Sequence, residues 1–347
     1  MAQPPPPPPA AASTDPIFIS TTTLQALLTP KTLIAHLAAT LPAATASLTT
    51  PPRHSVPTSA TSTLLLMPSF STSPSLPHTG IKLVTHHPLL SPSIHAAYVL
   101  FSSLTGQTLA LMDATHLTLS RTAAVSALAS LYLSKPTSET LVMIGSGALA
   151  PHLIRSHVAI RPSLKRVIIW NRTAEKAARL VTEMKAEEGF EGLEIEECGL
   201  LDEAVRVGDI VSCATNSEVG LVKGVVLKEG AHLDLVGSFK ETMRECDEEA
   251  VRRGRVFVDN VAALDEAGEL VGAVARGVVR RESVGTLVEL IEGEKKGRVD
   301  EKEITVFKSV GSGVVDVLAA QLAYESHMKG VTEEKRQNND DDHGSLC

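Results

Sequence analysis

The segment from Thr140 to Thr173 constrains the fold of this chain more than any other stretch. It reads TLVMIGSGALAPHLIRSHVAIRPSLKRVIIWNRT: an apolar run, a Gly-Ser-Gly turn, a helical pattern, and a second apolar run that ends at Asn171. This order of strand, glycine turn, helix and strand is the unit that seats the pyrophosphate of a dinucleotide on a helix N-terminus. The segment therefore predicts a Rossmann-type dinucleotide-binding unit.

Each small residue of the turn has its own steric role. Gly145 allows the tight turn, Gly147 lets the backbone approach a phosphate, and Ala150 lets the helix pack closely on the strand. Pro151 is compatible with a helix start, because a first-turn amide has no partner within the helix. Short glycine patterns also occur in flavodoxin-like units that bind no dinucleotide, and this is the alternative interpretation.

The end of the second strand indicates which cofactor is bound. An NAD-binding unit usually has an acidic residue there, whose carboxylate accepts hydrogen bonds from the ribose hydroxyls. This chain has Asn171, Arg172 and Thr173 instead, and a guanidinium can hold a 2′-phosphate that a carboxylate would repel. We therefore predict NADPH as the cofactor, with NADH bound more weakly. Alternative and compatible roles are a solvated Arg172 and a helix N-cap at Thr173.

The composition limits the class of protein to which the chain can belong. Its 347 residues, 43% hydrophobic and 21% charged, are those of an ordinary globular protein with two domains or one large one. The net charge of −8 argues against a nucleic-acid partner. No apolar run approaches the ~20 residues needed to span a bilayer, so we expect no membrane partner either.

The cysteine and histidine residues indicate a reducing compartment and no metal site. The four cysteines are scattered without a CxxC pair, and neighbouring histidines do not share one helix face. The proline-rich N-terminus has neither the apolar core of a secretory signal nor the arginines of a transit peptide. We expect a cytoplasmic protein, with the plastid as the alternative compartment.

The chain divides into two predicted domains. Strand-like runs at 63–67, 80–85 and 108–112 precede a helical segment at 119–133, and buried strands follow at 194–198, 210–214, 232–236 and 256–258. We predict an α/β fold in which a Rossmann dinucleotide-binding domain, residues 122–309, is inserted in a mixed α+β domain. That substrate-binding and dimerisation domain comprises residues 17–121 and 310–330. Residues 1–16 and 331–347 are predicted to be disordered.

Three cations in the first domain are candidates for substrate binding. They are Arg53 in PPRHS, Lys82 in GIKLVTHHP and Arg121 in LSRTAAVSALA. Arg121 begins an otherwise apolar helix and Lys82 lies in a strand-like run, where charges are usually paired or functional. Arg121 could hold a carboxylate through two hydrogen bonds, and Lys82 could add a point charge. Pairing with a nearby Asp or Glu is an equally open alternative.

Several blocks of the sequence resemble one known family. GQTLALMDATHLTLSRTAAVSALA, GSGALAPHL, WNRT, DIVSCAT and KSVGSGVVD together resemble the ornithine cyclodeaminase/mu-crystallin family over about residues 64–323. LLLMPSF, GIKLVTHHP, VIIWNRT and LDLVGSFKETMREC are similar to its plant branch, which looks like ketimine reductases that convert Δ1-piperideine-2-carboxylate to pipecolate. The resemblance implies an NADP-dependent oxidoreductase, a homodimer, and a place in lysine catabolism and plant defence.

The resemblance also implies roles for individual residues. Arg53, Lys82 and Arg121 would hold the substrate carboxylate. Independently of the resemblance, hydride transfer to an imine carbon needs a proton on the nitrogen, and the candidate donors are Lys82, Ser238 and a bound water. The implied cofactor-binding residues are Gly145, Ser146, Gly147, Ala148, Leu149, Asn171, Arg172, Thr173, Ala214, Thr215, Asn216, Val236, Gly237 and Ser309. Three residues would close the site from the segment that returns to the first domain: Ser309, Gly311 and Asp316.

Two departures from the family separate its activities. Ornithine cyclodeaminases carry an Asp at the last position of a VGxD motif, where this chain reads Val236-Gly237-Ser238-Phe239, and another acidic residue where it has Leu65. Without these acids, the charged amino group of ornithine would be buried without a counter-ion, which is unfavourable. We therefore predict NADPH-dependent reduction of a cyclic ketimine carboxylate. The alternatives are an NADPH-dependent ligand-binding protein similar to mu-crystallin, an amino-acid dehydrogenase and an ornithine cyclodeaminase.

Overall fold

The computed structural model describes residues 15–344, except Thr72, Ser75, Pro88 and residues 91–93, with side chains as far as Glu333. Contacts between Cα atoms group the chain into two compact units. Among the described residues, unit 1 contains residues 15–27, Ser47–Leu117 and residues 320–344, and unit 2 contains Leu28–Ala46 and Thr118–Ala319. No helix in the described part of the chain is long and apolar enough to cross a lipid bilayer.

Unit 1 is built on a mixed sheet. Its strands in the described residues are β1 (Ile17–Ile19), β2 (Leu48–Thr49), β3 (His54–Pro57), β4 (Thr63–Ser71), β5 (His78–His86), β6 (Ile94–Ser102) and β7 (Thr108–Asp113). The sheet order is β1-β7-β6-β5-β4-β2, and β3 also pairs with β4. Only the β1–β7 pair is parallel among these described strands. Helix α1 (Thr21–Leu27) follows β1.

Unit 2 is built on a parallel sheet. Its strands in the described residues are β8 (Thr140–Ile144), β9 (Arg166–Trp170), β10 (Glu194–Glu197), β11 (Ile210–Cys213), β12 (His232–Leu235), β13 (Gly254–Val258), β14 (Gly285–Thr286) and β15 (Ile304–Lys308). They are ordered β10-β9-β8-β11-β12-β15-β13-β14, and every pair is parallel. The fold is α/β, as the sequence predicts.

The remaining helices of the described residues are distributed along the chain between and after the strands. They are α2 (Pro30–Ser47), α3 (Ala114–Leu133), α4 (Ala150–Ile160), α5 (Ala174–Lys185), α6 (Leu201–Val207), α7 (Glu248–Arg253), α8 (Ala263–Glu266), α9 (Gly268–Ala275), α10 (Leu287–Glu292) and α11 (Gly313–Gly344). Two short 3₁₀ turns lie at Gly224–Val226 and Arg281–Ser283. Helices α3 and α11 each have residues in both units.

The apolar runs of unit 2 form strands because both faces of the sheet are buried. Successive side chains of a strand point to opposite faces. In β8, Val142 and Ile144 belong to one buried apolar cluster, whereas Leu141 and Met143 belong to another. A parallel sheet that is covered on both faces explains why the strand sequences are continuous rather than alternating apolar runs.

The strand order of unit 2 reverses between β8 and β11. From β8 the chain builds outward through β9 and β10, then returns to place β11 on the other side of β8. In open parallel sheets, ligands bind outside the carboxyl ends of the strands at such a switch point. The glycine turn that follows β8 and the loop that follows β11 are therefore placed at the expected binding position.

The structure differs from the predicted organisation at several places. Strands β1, β2, β3, β6, β14 and β15 have no counterpart among the predicted strands, and residues 28–46, 118–121 and 310–319 group with unit 2 rather than with the first domain. Helix α11 continues to Gly344, although disorder is predicted from residue 331. A helix extends more easily than it starts, so its apolar beginning can carry a polar continuation. The predicted disorder of residues 1–16 lies mostly outside the described residues, and the prediction for 345–347 entirely so.

Candidate functional site

A cleft opens at the switch point of unit 2. It is lined by the glycine turn (145–147), the end of β9 with the residues after it (170–173), Lys176 of α5, and the loop after β11 (214–217) with Leu221. The cleft thus brings together three of the segments that the sequence analysis assigns to the cofactor: the glycine turn, the Asn-Arg-Thr segment and the loop after β11. Ser217, Leu221, Trp170 and Lys176 are additional lining residues that the sequence analysis missed.

The glycine turn has the geometry that a pyrophosphate requires. Gly145 has a φ of 104°, and a Cβ there would lie 2.5 Å from the Ala214 carbonyl oxygen. A Cβ on Gly147, by contrast, would meet no described atom within 4 Å, so this backbone is open to a ligand. Ser146 Oγ is buried and has no hydrogen-bond partner in the described part of the chain. The turn therefore offers both space and an unused polar atom to a phosphate.

Helix α4 begins directly after this turn. Leu149 is its N-cap residue and Pro151 lies in its first turn, where a missing N–H costs no hydrogen bond. The free N–H groups and the positive end of the helix dipole favour an anion at this position. The residues present therefore fit the pyrophosphate of a dinucleotide.

Cations line the side of the cleft that follows β9. Arg172 and Lys176 are exposed, and neither forms an ion pair within the described residues. Asn171 Nδ2 donates to the Thr173 carbonyl oxygen at 2.9 Å, which shapes the turn between them. Thr173 is the N-cap residue of α5, as the sequence predicts, although its side chain makes no capping hydrogen bond. Two unpaired cations are available to bind a phosphate here.

The next loop along the sheet contains Ser238, a predicted proton donor. Its side chain is wholly buried, its hydroxyl donates to the Glu269 carboxylate at 2.6 Å, and Lys308 Nζ donates to its oxygen at 2.6 Å. The hydroxyl proton is therefore held by Glu269. Neither Glu269 nor Lys308 was found from the sequence, although a lysine that ends the apolar run ITVF was a usable signal.

Buried charges surround this serine. Lys308 Nζ lies 3.1 Å from Glu269 Oε1 and 3.9 Å from Glu245 Oε2. Burial raises the pKa of Glu245 to about 7, although the positive charge of Lys308 opposes that shift. Two carboxyl groups thus share one ammonium group in the interior of unit 2.

Arg121 is buried in α3 and has an acidic partner. Its Nε atom lies 2.8 Å from Asp316 Oδ1. Gly311, with a φ of 86°, packs against the guanidinium so closely that a Cβ would lie 3.0 Å from Nη1. The paired and the functional interpretations of Arg121 are compatible, because the ion pair uses one edge of the guanidinium.

The half-buried carboxylate of Asp259 holds the turn that faces Arg121. Asp259 Oδ2 accepts hydrogen bonds from Ser309 Oγ at 2.9 Å, Val310 N at 3.1 Å and Gly311 N at 2.7 Å. The predicted site residues Ser309, Gly311 and Asp316 are thereby placed in one region of unit 2 with Arg121. Asp259 itself was not found from the sequence.

The other two predicted cations belong to unit 1. Lys82 lies in β5, opposite Met67 and Tyr98, and only 4% of it is exposed. Arg53 is exposed and immediately precedes β3. Their part in substrate binding stays a prediction. Within the described residues, no group of three or more His, Cys, Asp or Glu side chains is placed to hold a metal ion.

Comparison with known proteins gives consistent matches over nearly the whole chain. The ornithine cyclodeaminase/mu-crystallin family model matches residues 16–331. Protein SAR DEFICIENT 4 of Arabidopsis thaliana is 53% identical over 318 residues, which cover 90% of this chain and 98% of that protein. The Δ(1)-pyrroline-2-carboxylate reductase of Colwellia psychrerythraea is 36% identical over 236 residues, covering 67% of this chain and 74% of that protein.

A solved structure shares the fold. The Thermococcus litoralis Δ(1)-pyrroline-2-carboxylate reductase, in complex with NADH and L-proline, superimposes with a TM-score of 0.82 at 29% sequence identity. The match covers 90% of this chain and 98% of the archaeal chain.

Proposed function

Because the chain belongs to the ornithine cyclodeaminase/mu-crystallin family, we propose that it is an NADPH-dependent reductase of a cyclic ketimine carboxylate. The proposed reaction converts Δ1-piperideine-2-carboxylate to pipecolate. Hydride is added to the imine carbon and a proton to the imine nitrogen, which gives a secondary amine. The observation that carries this proposal is the cleft at the switch point, whose glycine turn fits a pyrophosphate.

The relatives support reduction of a carbon–nitrogen double bond. The bacterial and archaeal relatives named above are reductases of a five-membered cyclic imine carboxylate, and the archaeal one is bound to NADH. A nicotinamide dinucleotide bound in the cleft would supply the hydride. The six-membered ring is our choice for this chain, supported by the plant-type blocks of its sequence.

The choice of NADPH rests on the cations of this chain. Arg172 and Lys176 line the cleft beside the end of β9, where an NAD-binding unit would usually have an acidic residue. A charge-assisted hydrogen bond contributes roughly 1.5–3 kcal/mol. One such bond to the 2′-phosphate corresponds to about a ten- to hundredfold preference over NADH.

The chain's own residues would bind the substrate through its carboxylate. The guanidinium of Arg121 is oriented by Asp316 and by the Gly311 turn, which prepares it to hold a planar carboxylate. Lys82 and Arg53 remain proposed further contacts. Ser238 is a poorer proton donor than the sequence suggests, since its proton is held by Glu269. Lys82 or a bound water is therefore the proposed proton source.

The test is NADPH oxidation, followed by absorbance, with Δ1-piperideine-2-carboxylate and with its five-membered analogue. We expect saturable turnover with both rings, a higher kcat/KM for the six-membered ring, and a higher kcat/KM for NADPH than for NADH. Replacing both cations (R172A with K176A) should remove the NADPH preference. The matched control is R280A, an exposed arginine that does not line the cleft, and its preference should be unchanged. Absence of turnover with either imine would contradict the proposal.

We also propose that the chain forms a homodimer, as its family resemblance implies. Its partners are then a second copy of the chain, the dinucleotide and a small imine carboxylate.

A further inference from the structure

One buried carboxylate joins the loops that follow β11 and β12. Glu245 Oε1 accepts hydrogen bonds from Thr215 N at 2.6 Å and from Thr215 Oγ1 at 3.0 Å. Its other oxygen, Oε2, accepts from Gly237 N at 2.6 Å. Because hydrogen bonds to an ionised group are about twice as strong as neutral ones, this carboxylate fixes the spacing of the two loops.

The two loops pack so closely where they meet that residue 237 has no room for a side chain. A Cβ on Gly237 would collide with the backbone of Thr215 and with the Glu245 carboxylate. Glu245 and Lys308 are fully buried, and Glu269 is nearly so. Lys308 stands between the two carboxylates, where it compensates the charge of Glu245, and it contacts the loop after β12 by donating to Ser238.

Only one of the two joined loops lines the cleft. Thr215 is a lining residue, together with its neighbours 214, 216 and 217, whereas neither Glu245 nor Gly237 lines it. Glu245 therefore does not face the space that a ligand would occupy. Its carboxylate can influence that space only by holding Thr215 at a fixed distance from the Gly237 loop.

We propose that Glu245 is a positioning residue for the dinucleotide: it fixes the loop after β11 so that the cleft has its binding shape before the ligand arrives. A preformed site does not have to order a loop during binding, and its affinity is higher for that reason. The inference rests on the proposed function only in that a dinucleotide occupies the cleft. The loop after β11, held by Glu245, sets the width of the cleft, which the glycine turn alone does not set.

The chain provides a matched control at the opposite end of the sheet. Asp209 Oδ2 accepts hydrogen bonds from Glu139 N at 2.8 Å and Thr140 N at 2.9 Å, and Lys228 Nζ lies 2.7 Å from Oδ1. This carboxylate also joins segments leading into neighbouring strands, β8 and β11, and it also has a lysine partner. Asp209 lies at the amino ends of the strands, however, and does not line the cleft.

The experiment measures dinucleotide affinity without requiring turnover. Trp170 is the chain's single tryptophan and lines the cleft, so its fluorescence should report binding. NADPH and NADH are titrated against the wild type, E245Q, E245D and D209N at pH 8, and thermal unfolding of each variant is followed in parallel. At this pH the Glu245 carboxyl is ionised, since its pKa is about 7.

We expect E245Q to bind NADPH about tenfold more weakly, because its amide N–H₂ group would oppose one of the loop donors. E245D keeps the charge near Lys308, but its side chain is one methylene shorter, so it should also weaken NADPH binding. It replaces E245Q in the test if E245Q does not fold. D209N should unfold at a lower temperature and keep the wild-type Kd.

Two results would overturn the inference. One is a wild-type Kd in folded E245Q or E245D, and the other is an equal loss of affinity in D209N. A wild type that binds neither dinucleotide would instead contradict the proposed function, and with it the premise of this inference.

Discussion

Single buried side chains of unit 2 have partners that fix their protonation. His232, at the start of β12, is fully buried, and its Nδ1 lies 3.0 Å from Thr305 Oγ1. The Thr305 hydroxyl donates to the Leu133 carbonyl at 2.8 Å, so it accepts from His232, whose Nδ1 therefore carries the proton. Burial lowers the pKa of His232 to about 3, although Asp234 acts in the opposite direction.

This histidine makes the stability of the protein depend on pH. Below pH 6.5 the unfolded chain protonates the imidazole while the folded protein keeps it neutral, so the unfolding free energy falls on acidification. The contribution is complete above pH 6.5 and is lost progressively towards pH 3. Between pH 7 and pH 5 we expect the wild type to lose about 2 kcal/mol more than H232N, which keeps a donor to Thr305. Urea unfolding at both values measures this, and parallel losses would contradict it.

A second residue-scale prediction concerns the orientation of Arg121. Removing the charge of its partner in D316N leaves the guanidinium buried with a weaker anchor. We expect kcat/KM for the imine to fall by roughly ten- to a hundredfold, since a misoriented guanidinium would lose a charge-assisted hydrogen bond to the substrate carboxylate, and such a bond contributes about 1.5–3 kcal/mol. The Kd for NADPH should change little. Steady-state kinetics and the Trp170 titration separate the two effects, and an unchanged kcat/KM would show that Asp316 does not orient Arg121.

At the scale of elements, the helix that carries Arg121 is fixed at its opposite end. Arg161 Nη2 donates to the carbonyl oxygens of Ser130 at 2.7 Å and Leu131 at 2.9 Å, and its Nε donates to Ser134 Oγ. Arg298 Nε donates to the Leu133 carbonyl at 2.8 Å. The last carbonyls of α3 thus have cationic partners, which also complement the negative end of the helix dipole.

The anchoring of α3 predicts a large effect of one substitution. R161M removes a buried cation and leaves several carbonyl groups without donors, so the unfolding free energy should fall by about 3 kcal/mol. The control is R166M, whose arginine pairs with Glu196 at the surface and should cost less than about 1 kcal/mol. Chemical denaturation of both variants measures the difference. Equal losses would mean that Arg161 is not the anchor of α3.

The elements that the sequence predicts best are those with local signals. Strands β8, β9, β11 and β13 of unit 2 contain apolar runs bounded by turns, and the glycine turn has steric requirements that are readable residue by residue. Helix α2 groups with unit 2 rather than with the first domain, which the sequence could not show because its apolar residues indicate only that one face is buried, not which part of the chain covers it. Strand β6 was missed because IHAAYVLF has no regular alternation of polar and apolar residues.

For the whole molecule, the candidate site was only partly predictable. The cleft combines segments that each carry a recognisable motif, so the sequence identified most of its lining. Glu245, Glu269 and Asp259 act on loops that are distant in the sequence, and a single acidic residue in a turn or helix gives no sign of such a partner. Lys176 was missed because only the folded chain shows that the first turn of α5 lines the cleft beside Arg172.

In the proposed reaction, hydride passes from NADPH to the carbon of a cyclic imine carboxylate. The test is an isotope transfer experiment. The protein is incubated with Δ1-piperideine-2-carboxylate and with NADPH that carries deuterium on one face of C4, and the two forms, one for each face, are used in separate reactions. The product is analysed by mass spectrometry and NMR. We expect one of the two forms to give pipecolate with a single deuterium at C2. Pipecolate without deuterium from both forms, or no pipecolate at all, would contradict the proposed reaction.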